Sequence, residues 1–305
     1  MAPLWLSPPL LNSASPWATT EEDITALYEC PHTGAVTTRT SLLSGFPHDP
    51  AHHQHTFINS SSLNTYGYSP HPLHYYLNIT HSLVKDVTGP QRKPFIISIT
   101  GTPAQVQLAV ASITHFSADY KINIWAEINL SCPNIAGKPP PAYSSDGLTE
   151  YLTLLPEEPR IPVGIKTPPY TYQGQYDTLI SVLEDFPTTL SFVTAVNTLG
   201  SCLDLSLDLT SDEDGWKPTL ESEAGTGIGG LGGEMIHRLA LGNVNTIRRR
   251  LDKAGLTDIL VIGVGGVSDK ASMERMLTVG AGAVGVATAL GQEGIKVFKK
   301  IAGQQ

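Results

Sequence analysis

The hexapeptide Asn129-Leu-Ser-Cys-Pro-Asn134 places one cysteine between two carboxamides, directly after an apolar run. A carboxamide both donates and accepts hydrogen bonds, so the two asparagines suit a ligand in which C=O and N–H groups alternate. A cysteine in this setting can act as a base or a nucleophile. The alternative is a small buried hydrophobe, which is the better interpretation of Cys30 and Cys202. Cys132 is therefore the candidate catalytic residue.

Lys166 ends the apolar run 161–166, where a charge is costly unless it meets an anion. The alternative is a lysine whose amine reaches solvent. Asn197-Thr198 ends the next apolar run, and Asn64 lies in a long loop. Asparagine is common in turns, so these polar residues indicate a binding site only as a set.

Two glycine-bearing turns near the end of the chain indicate a phosphate site. Gly263-Val-Gly-Gly-Val follows an apolar strand and precedes a helix that starts near Ser268, and Val284-Gly-Val-Ala-Thr-Ala repeats this arrangement. Backbone N–H groups in such turns can approach an anion closely. Barrels of parallel strands build their phosphate site after strands seven and eight. The alternative is a pair of tight turns that need glycine for backbone geometry alone.

A third glycine-rich stretch, Gly225-Thr-Gly-Ile-Gly-Gly-Leu-Gly-Gly, resembles a dinucleotide fingerprint only loosely. No strand of useful length is predicted before it, and no acidic residue stands at the expected distance. A flexible loop that closes over a ligand is the favoured interpretation.

Histidines 48, 52, 53 and 55 could suggest a metal site. They lie in a loop that carries Pro and Asp but no Cys or Glu at ligand spacing. A solvated loop is the favoured interpretation, and we expect no metal.

These residues are separated by short apolar runs that alternate with helical patterns. The predicted strands cover residues 9–14, 34–38, 94–100, 122–129, 161–166, 190–197, 258–263 and 283–287. The predicted helices cover residues 104–116, 174–185 and 234–253, with further helix starts at Thr20 and Ser268. The pattern predicts an α/β fold, an eight-stranded parallel (β/α)8 TIM barrel, as one domain over residues 1–305. The longer loops 40–75 and 198–228 are expected at the catalytic face, and an open doubly wound sheet is the alternative.

Composition narrows the class of protein. The 305 residues include 19 basic and 28 acidic side chains, a formal net charge of −9, so binding to nucleic acid or to anionic lipid is disfavoured. Three cysteines allow neither a disulfide framework nor a four-cysteine iron–sulfur cluster, and they favour a reducing, cytoplasmic compartment. No apolar run reaches the length of about 18 residues that indicates a membrane span. The apolar N-terminus lacks the positive charges of a secretory signal.

The stretch Asn129-Leu-Ser-Cys-Pro-Asn-Ile-Ala-Gly-Lys-Pro resembles the active-site loop of the cytosolic dihydroorotate dehydrogenases that pass electrons to fumarate. The resemblance covers nearly the whole chain. Further matching segments follow in the family's order: Gly34-Ala-Val-Thr-Thr-Arg-Thr, Val163-Gly-Ile-Lys-Thr-Pro-Pro-Tyr, Val196-Asn-Thr-Leu-Gly, Gly229-Gly-Leu-Gly-Gly, Gly263-Val-Gly-Gly and Ala287-Thr-Ala-Leu.

The resemblance implies bound FMN, a homodimer and the oxidation of dihydroorotate to orotate in pyrimidine biosynthesis. Cys132 would remove the C5 proton while the hydride from C6 goes to the flavin, and Lys166 would stabilise the reduced flavin ring. The implied cofactor-binding residues are Ala14, Arg39, Thr40, Asn129, Lys166, Val196, Gly233, Gly265, Gly266, Ala287 and Thr288. The implied substrate-binding residues are Arg39, Asn64, Thr65, Tyr66, Gly67, Tyr68, Asn129, Asn134, Asn197 and Thr198.

Several positions depart from the family pattern. Arg39 stands where the family has a lysine that lies beside both the flavin and the substrate carboxylate. The substrate loop, usually Asn-Ser-Met-Gly-Leu-Pro-Asn, reads Asn64-Thr-Tyr-Gly-Tyr-Ser-Pro70 here. The first motif reads Asn12-Ser-Ala-Ser15 rather than Asn-Ala-Ser-Gly, and an additional segment near 206–222 lengthens one loop.

Three functions remain open at this stage. The first is the oxidation of dihydroorotate with fumarate as acceptor. The second is a divergent flavin oxidoreductase that acts on another cyclic amide or enone, which Arg39 and Tyr66-Gly-Tyr68 favour. The third is a flavin-binding barrel without turnover, against which Cys132 and Lys166 count.

Overall fold

The computed structural model describes residues 4–86, 91, 93–132, 139–208, 215–222 and 225–303. Its strands are β1 Leu10–Asn12, β2 Val36–Thr37, β3 His55–Ile58, β4 Ser61–Asn64, β5 Phe95–Ile99, β6 Ile124–Asn129, β7 Val163–Thr167, β8 Phe192–Ala195, β9 Leu199–Leu203, β10 Leu205–Asp208, β11 Gly215–Pro218, β12 Ile228–Gly233, β13 Leu260–Val264 and β14 Ala283–Val286. Its α-helices are α1 Glu21–Glu29, α2 Leu73–Val84, α3 Pro103–Tyr120, α4 Ser145–Leu152, α5 Gln173–Asp185, α6 His237–Lys253, α7 Lys270–Thr278, α8 Thr288–Glu293 and α9 Val297–Ile301.

Eight of these strands form one parallel sheet in the order β1-β14-β13-β8-β7-β6-β5-β2. A parallel bridge between Leu11 and Ala35 joins the two ends of the sheet and completes the ring. All eight predicted strands are present, each within a few residues of its expected bounds. The predicted TIM barrel is confirmed, and the open doubly wound alternative is wrong.

The barrel strands are apolar because both of their faces are covered. All residues of β5 are buried, and one hydrophobic cluster joins this strand layer to the surrounding helices. A second cluster fills the barrel interior, with Ile96, Trp125, Phe192 and Ile262 at its centre. Gly164 makes room for it, because a Cβ atom there would overlap the Phe192 ring.

The helices begin where the sequence indicates. Thr20 caps α1 in a reciprocal capping box with Asp23, and Asp269 caps α7 in the same way with Ser272. These caps satisfy backbone N–H groups that a helix start would otherwise leave unpaired. Within the described part of the chain, none of the helices combines the length and the apolar character that a membrane span requires.

The regions 40–75 and 198–228 are not only loops, which corrects the sequence-based expectation. They contain the start of α2 and most of a four-stranded sheet in the order β3-β4-β12-β9, together with the antiparallel ribbon β10–β11. The glycine-rich stretch that we expected to be a flexible loop ends in strand β12, paired on both sides. Its glycines allow close packing: a Cβ atom at Gly233 would lie 2.5 Å from the Ser60 carbonyl oxygen. Glycine lowers strand propensity, so the pairing arises from this tertiary contact.

Candidate active site

A cavity opens at the carboxyl ends of the barrel strands and encloses about 1100 Å³, including the part that is open to solvent. Its walls come from the carboxyl ends of seven of the eight barrel strands, or from the segments that follow them, and from the hairpin β3–β4. The predicted site residues that line it are Ala14, Arg39, Thr40, Asn64, Tyr66, Gly67, Tyr68, Asn129, Cys132, Lys166, Val196, Asn197, Thr198, Gly233, Gly265, Gly266, Ala287 and Thr288. The fold therefore brings nearly the whole predicted set into one chamber.

Two predicted residues are exceptions. Thr65 does not line the cavity, because its hydroxyl turns to the neighbouring loop, donating to the His52 carbonyl at 2.6 Å and accepting from the Gln54 N–H at 3.0 Å. Asn134 lies outside the described residues.

The cavity is cationic. Arg39 and Lys166 both line it, and among its described lining residues none is an aspartate or a glutamate. Both cations are buried, with 7% and 3% of their surfaces exposed. A buried cation is costly without a counter-charge, so this chamber is suited to anionic ligands.

Lys166 is held by its neighbours in the barrel. Its Nζ donates to the Ser13 hydroxyl at 3.0 Å. Burial lowers the pKa of Lys166, whereas the charges of Glu127 and Cys132 act in the opposite direction. Glu127 lies below it in the barrel, where its carboxylate accepts hydrogen bonds from the hydroxyls of Ser98 and Thr194 at 3.0 and 2.7 Å. The ammonium group thus lies above a carboxylate whose two oxygens each accept a hydrogen bond.

Arg39 has unused hydrogen-bonding capacity. Its Nη1 donates to the Thr19 hydroxyl at 3.4 Å, and its guanidinium carbon lies 5.2 Å from the centre of the Tyr66 ring. Its Nη2 is buried and meets no acceptor among the described residues. Burial lowers the pKa of Arg39, but a guanidinium remains charged in proteins. A stacked guanidinium with a free donor edge is arranged to bind a carboxylate or a phosphate.

Three glycines with left-handed backbone form another part of the cavity wall. Their φ angles are +83° at Gly233, +136° at Gly265 and +69° at Gly266. Added Cβ atoms would collide there: at Gly266 one would lie 2.7 Å from the Gly233 carbonyl oxygen. The hydroxyls of Ser62 and Thr288 pair beside them at 2.9 Å. Glycine turns and hydroxyls are an uncharged donor set that suits a phosphate group.

The asparagine side chains are fixed by a network. The Asn129 amide donates to Thr40 at 3.1 Å and accepts from the Ser131 hydroxyl at 2.7 Å. That same hydroxyl accepts a hydrogen bond at 3.0 Å from the amide of Asn197. Asn64 donates to the Gly230 carbonyl at 3.0 Å, which ties it to β12. Preset carboxamides around one chamber suit a ring of amide and imide groups.

Sequence reasoning missed Trp17 and His55, which also line the cavity. The His55 Nδ1 lies 2.9 Å from the Tyr66 hydroxyl, and burial lowers the pKa of His55. Its interpretation as part of a solvated loop is wrong. The signal was present in the sequence, because His55-Thr-Phe-Ile is a β-branched and aromatic run typical of a strand.

Known proteins with similar sequences and structures carry one family name. The family model for dihydroorotate dehydrogenase matches residues 6–304. The chain is 32% identical over 297 residues to the dihydroorotate dehydrogenase (fumarate) of Trypanosoma cruzi (strain CL Brener), an alignment that covers 96% of this chain and 87% of that protein. It is 30% identical over 292 residues to a putative dihydroorotate dehydrogenase A (fumarate) of Streptococcus equi subsp. equi (strain 4047), covering 96% and 86%.

A solved structure with a similar fold is that of DHODH in complex with ferulenol from Eimeria tenella. It superposes with a TM-score of 0.73 at 15% sequence identity and covers 97% of this chain and 79% of that one. At this identity the likeness concerns the fold alone. The family model, by contrast, spans almost every residue of the barrel and its cavity, and the chain belongs to the dihydroorotate dehydrogenase family.

Proposed function

We propose that the protein oxidises dihydroorotate to orotate with bound FMN, as a cytoplasmic enzyme of pyrimidine biosynthesis, and that fumarate is its electron acceptor. The observation that carries the proposal is the cationic chamber, which holds Arg39 and Lys166 beside Cys132 and the asparagine set without a carboxylate among its described lining residues. Dihydroorotate carries a carboxylate and a ring of amide and imide groups, and FMN carries a phosphate. The chamber offers matching donors for all three.

The residues present fit FMN. The glycine wall is a cradle that added Cβ atoms would fill, and the Ser62–Thr288 hydroxyl pair adds donors beside it. Gly265, Gly266, Ala287 and Thr288 would hold the phosphate. Ala14, Thr40, Asn129, Lys166, Val196 and Gly233 would line the rest of the cofactor. When bound, FMN supplies the acceptor for the hydride from C6 of the substrate.

The chain's own residues supply the remaining chemistry. Cys132 removes the proton from C5 as the C5–C6 double bond forms, and that proton ends on its sulfur. Lys166, which lines the cavity, would supply positive charge to the group that receives the hydride. Asn64, Asn129, Asn197 and Thr198 orient the pyrimidine ring, and Asn134 belongs to the same proposed set. The apolar barrel excludes water from the reacting atoms.

Steady-state turnover tests the proposal. The purified, flavin-loaded protein is mixed with dihydroorotate and fumarate under anaerobic conditions, and orotate and succinate are quantified. We expect the two products in equal amounts. Formation of neither product would contradict the proposal, whereas orotate formed only with another acceptor would contradict the fumarate assignment alone.

The alternative is a related flavin enzyme that acts on another cyclic amide or enone. Its supporting observation is Tyr66, whose ring covers one face of Arg39 where the family pattern has methionine. A guanidinium packed on Tyr66 in this way could stabilise the cavity wall instead of binding a ligand. The two functions differ in whether Arg39 must meet a carboxylate.

Replacement of Arg39 by alanine distinguishes them. We expect the variant to bind dihydroorotate about 10- to 150-fold more weakly, the range that a hydrogen bond to a charged group contributes. Binding of dihydrouracil, which lacks the carboxylate, should change little. Arg39→Lys keeps a positive charge at this position and introduces the family residue, so it should bind dihydroorotate more tightly than Arg39→Ala does. Equal weakening of both ligands would favour the alternative function.

A homodimer forms part of the proposal. The antiparallel ribbon β10–β11 and the neighbouring ends of β9 and β12 expose large apolar side chains. These are Leu203, Leu205, Leu207, Trp216 and Ile228. Contiguous exposed apolar surface of this kind is typical of protein–protein contacts, and a second copy of this chain is the occupant we propose.

The mass in solution tests the dimer. Light scattering should give the parent protein twice the 32.7 kDa of one chain, and Leu207→Glu should reduce the mass toward a single chain. Leu108→Glu on α3 is the matched control, because Leu108 is similarly exposed but far from the ribbon in sequence. A parent protein of 32.7 kDa, or an unchanged dimer in Leu207→Glu, would contradict this surface as the interface.

A further inference from the structure

His237 is a buried histidine at the start of α6, behind the glycine wall of the cavity. Only 6% of its surface is exposed, and it is not among the residues that line the cavity. Its Nδ1 lies 2.7 Å from the Gly265 carbonyl oxygen, and its Nε2 accepts a hydrogen bond at 3.2 Å from the Nε of Arg275 on α7. The imidazole thus joins two helices to the turn that follows β13.

The two partners of His237 determine which ring nitrogen carries a proton. A carbonyl oxygen only accepts hydrogen bonds, so Nδ1 must be the protonated nitrogen that donates to Gly265. A guanidinium only donates, so Nε2 must present its lone pair to Arg275. The hydrogen bonds therefore select the neutral Nδ1–H tautomer of the ring.

The turn after β13 packs directly against the start of α6. Gly265 and Gly266 have φ angles of +136° and +69°, and a Cβ atom on Gly266 would lie 2.7 Å from the His237 Cβ. A Cβ atom on Gly265 would lie 2.6 Å from the Cβ of Ala240 in the same helix. The close approach requires glycine, but glycine also gives the backbone access to other conformations. A contact that selects one conformation has to come from outside the turn.

The hydrogen bond from His237 can make that selection, because it fixes the peptide between Gly265 and Gly266. That peptide is trans, so its C=O and its N–H point in opposite directions. While the carbonyl is bound to the imidazole, the N–H of Gly266 is directed away from His237. Gly266 lines the cavity at the place where the phosphate of FMN is proposed to bind.

We propose that His237 is a positioning residue for the phosphate turn: its Nδ1–H holds the Gly265 carbonyl, and the Gly266 N–H is thereby presented to the phosphate of FMN. Arg275 keeps the imidazole in the tautomer that donates to Gly265. Neither His237 nor Arg275 lines the cavity, so both act through the backbone of the turn. The inference rests on the proposed function only for the identity of the cofactor, because both hydrogen bonds are present without it.

Release of FMN from the purified holoenzyme tests the proposal without turnover. The protein is diluted, and free FMN is separated by ultrafiltration at intervals and quantified by its fluorescence. His237→Gln places its amide near the position of Nε2, so it can face Arg275 but leaves the Gly265 carbonyl without its donor. We expect FMN to be released about 2- to 10-fold faster than from the parent, the range that one hydrogen bond contributes.

His237→Asn is the conservative variant, because its amide nitrogen occupies the position of Nδ1 and can still donate to Gly265. An amide has no tautomer to select, so loss of the contact with Arg275 should matter little, and release should stay close to the parent rate. Arg248→Met is the matched control. Arg248 lies further along α6, donates to the Ile259 and Leu256 carbonyls at 2.6 and 3.2 Å, and does not line the cavity. Its loss should lower the stability of the fold and leave FMN release unchanged.

Two NMR signals supply readouts that a purely structural role would not move. The phosphorus signal of bound FMN should shift in His237→Gln and keep its parent position in His237→Asn and in Arg248→Met. The imidazole nitrogen signals of the parent should show a protonated Nδ1 and an unprotonated Nε2 at His237. The opposite tautomer would overturn the proposal even if a variant failed to fold.

The release rates decide the remaining outcomes. Equal rates in the parent and in His237→Gln would overturn the proposal. So would His237→Asn releasing FMN as fast as His237→Gln, which indicates that the ring acts through its bulk alone.

These readouts separate the inference from the proposed function. If dihydroorotate fails to reduce the flavin but His237→Gln releases FMN faster, the substrate assignment is wrong and the role of His237 stands. If dihydroorotate reduces the flavin and release is the same in all variants, only the role of His237 is wrong. A parent protein that carries no FMN would contradict both.

Discussion

Replacement of Cys132 by alanine is expected to slow reduction of the bound flavin by dihydroorotate about 10²- to 10⁴-fold, the range that a general base contributes. Cys132 lines the cavity together with Lys166, and its sulfur is the proposed base. The methyl group of alanine cannot accept a proton, so the variant has no group at this position that can take the proton from C5. The measurement is single-turnover flavin bleaching in a stopped-flow instrument.

Two comparisons isolate this effect. Cys132→Ser should retain some activity, because a hydroxyl can still accept a proton but is a much weaker acid than a thiol. Cys202→Ala is the matched control: Cys202 lies on β9 and does not line the cavity, so reduction should proceed at the parent rate. Bleaching of Cys132→Ala at the parent rate would place the base elsewhere.

Replacement of Gly266 by glutamate is expected to give colourless protein. Gly266 has a φ of +69°, and a Cβ atom there would lie 2.7 Å from both the Gly233 carbonyl oxygen and the His237 Cβ. The substitution also introduces a carboxylate where the phosphate of FMN is proposed to bind, and like charges repel. The measurement is the ratio of flavin to protein absorbance after purification.

Gly255→Glu serves as the control for backbone strain and for charge. Gly255 has a φ of +77°, it is exposed, and its position offers open space to an added Cβ atom. The control should remain yellow and folded by circular dichroism. Full flavin occupancy in Gly266→Glu would refute the phosphate site. If Gly266→Glu does not fold, Thr288→Glu takes its place, and the same loss of flavin is expected.

The barrel could be predicted from the sequence because each of its strands is buried on both faces. Continuous apolar runs such as Phe95–Ile99 indicate such strands without knowledge of their partners. The glycine turn between β13 and α7 could be predicted for a similar reason, since a left-handed residue such as Gly266 follows a strand and precedes a helix within a few residues. These signals are local.

The second sheet could not be predicted because its signals are not local. Strand β12 consists mainly of glycine, and it is a strand only because β4 and β9 pair with it. Its partners come from positions more than 150 residues earlier and about 30 residues earlier in the chain, which no periodicity reveals.

The same limit applies to the departures in the substrate loop. The sequence shows that Tyr66 and Tyr68 replace residues of the family pattern, but it does not show where their hydroxyls point. The fold brings Tyr66 against Arg39 and His55, whereas the Tyr68 ring packs edge to face on Phe46. Neighbouring tyrosines of one loop thus acquire different partners.

The central claim is that dihydroorotate reduces a flavin held in this cavity, and an anaerobic titration tests it most directly. Dihydroorotate is added stepwise to the purified yellow protein while the flavin absorbance is recorded, and dithionite is added at the end. We predict that one equivalent of dihydroorotate per flavin bleaches the absorbance and yields one equivalent of orotate. An absorbance that dihydroorotate leaves unchanged and dithionite then abolishes would contradict the claim.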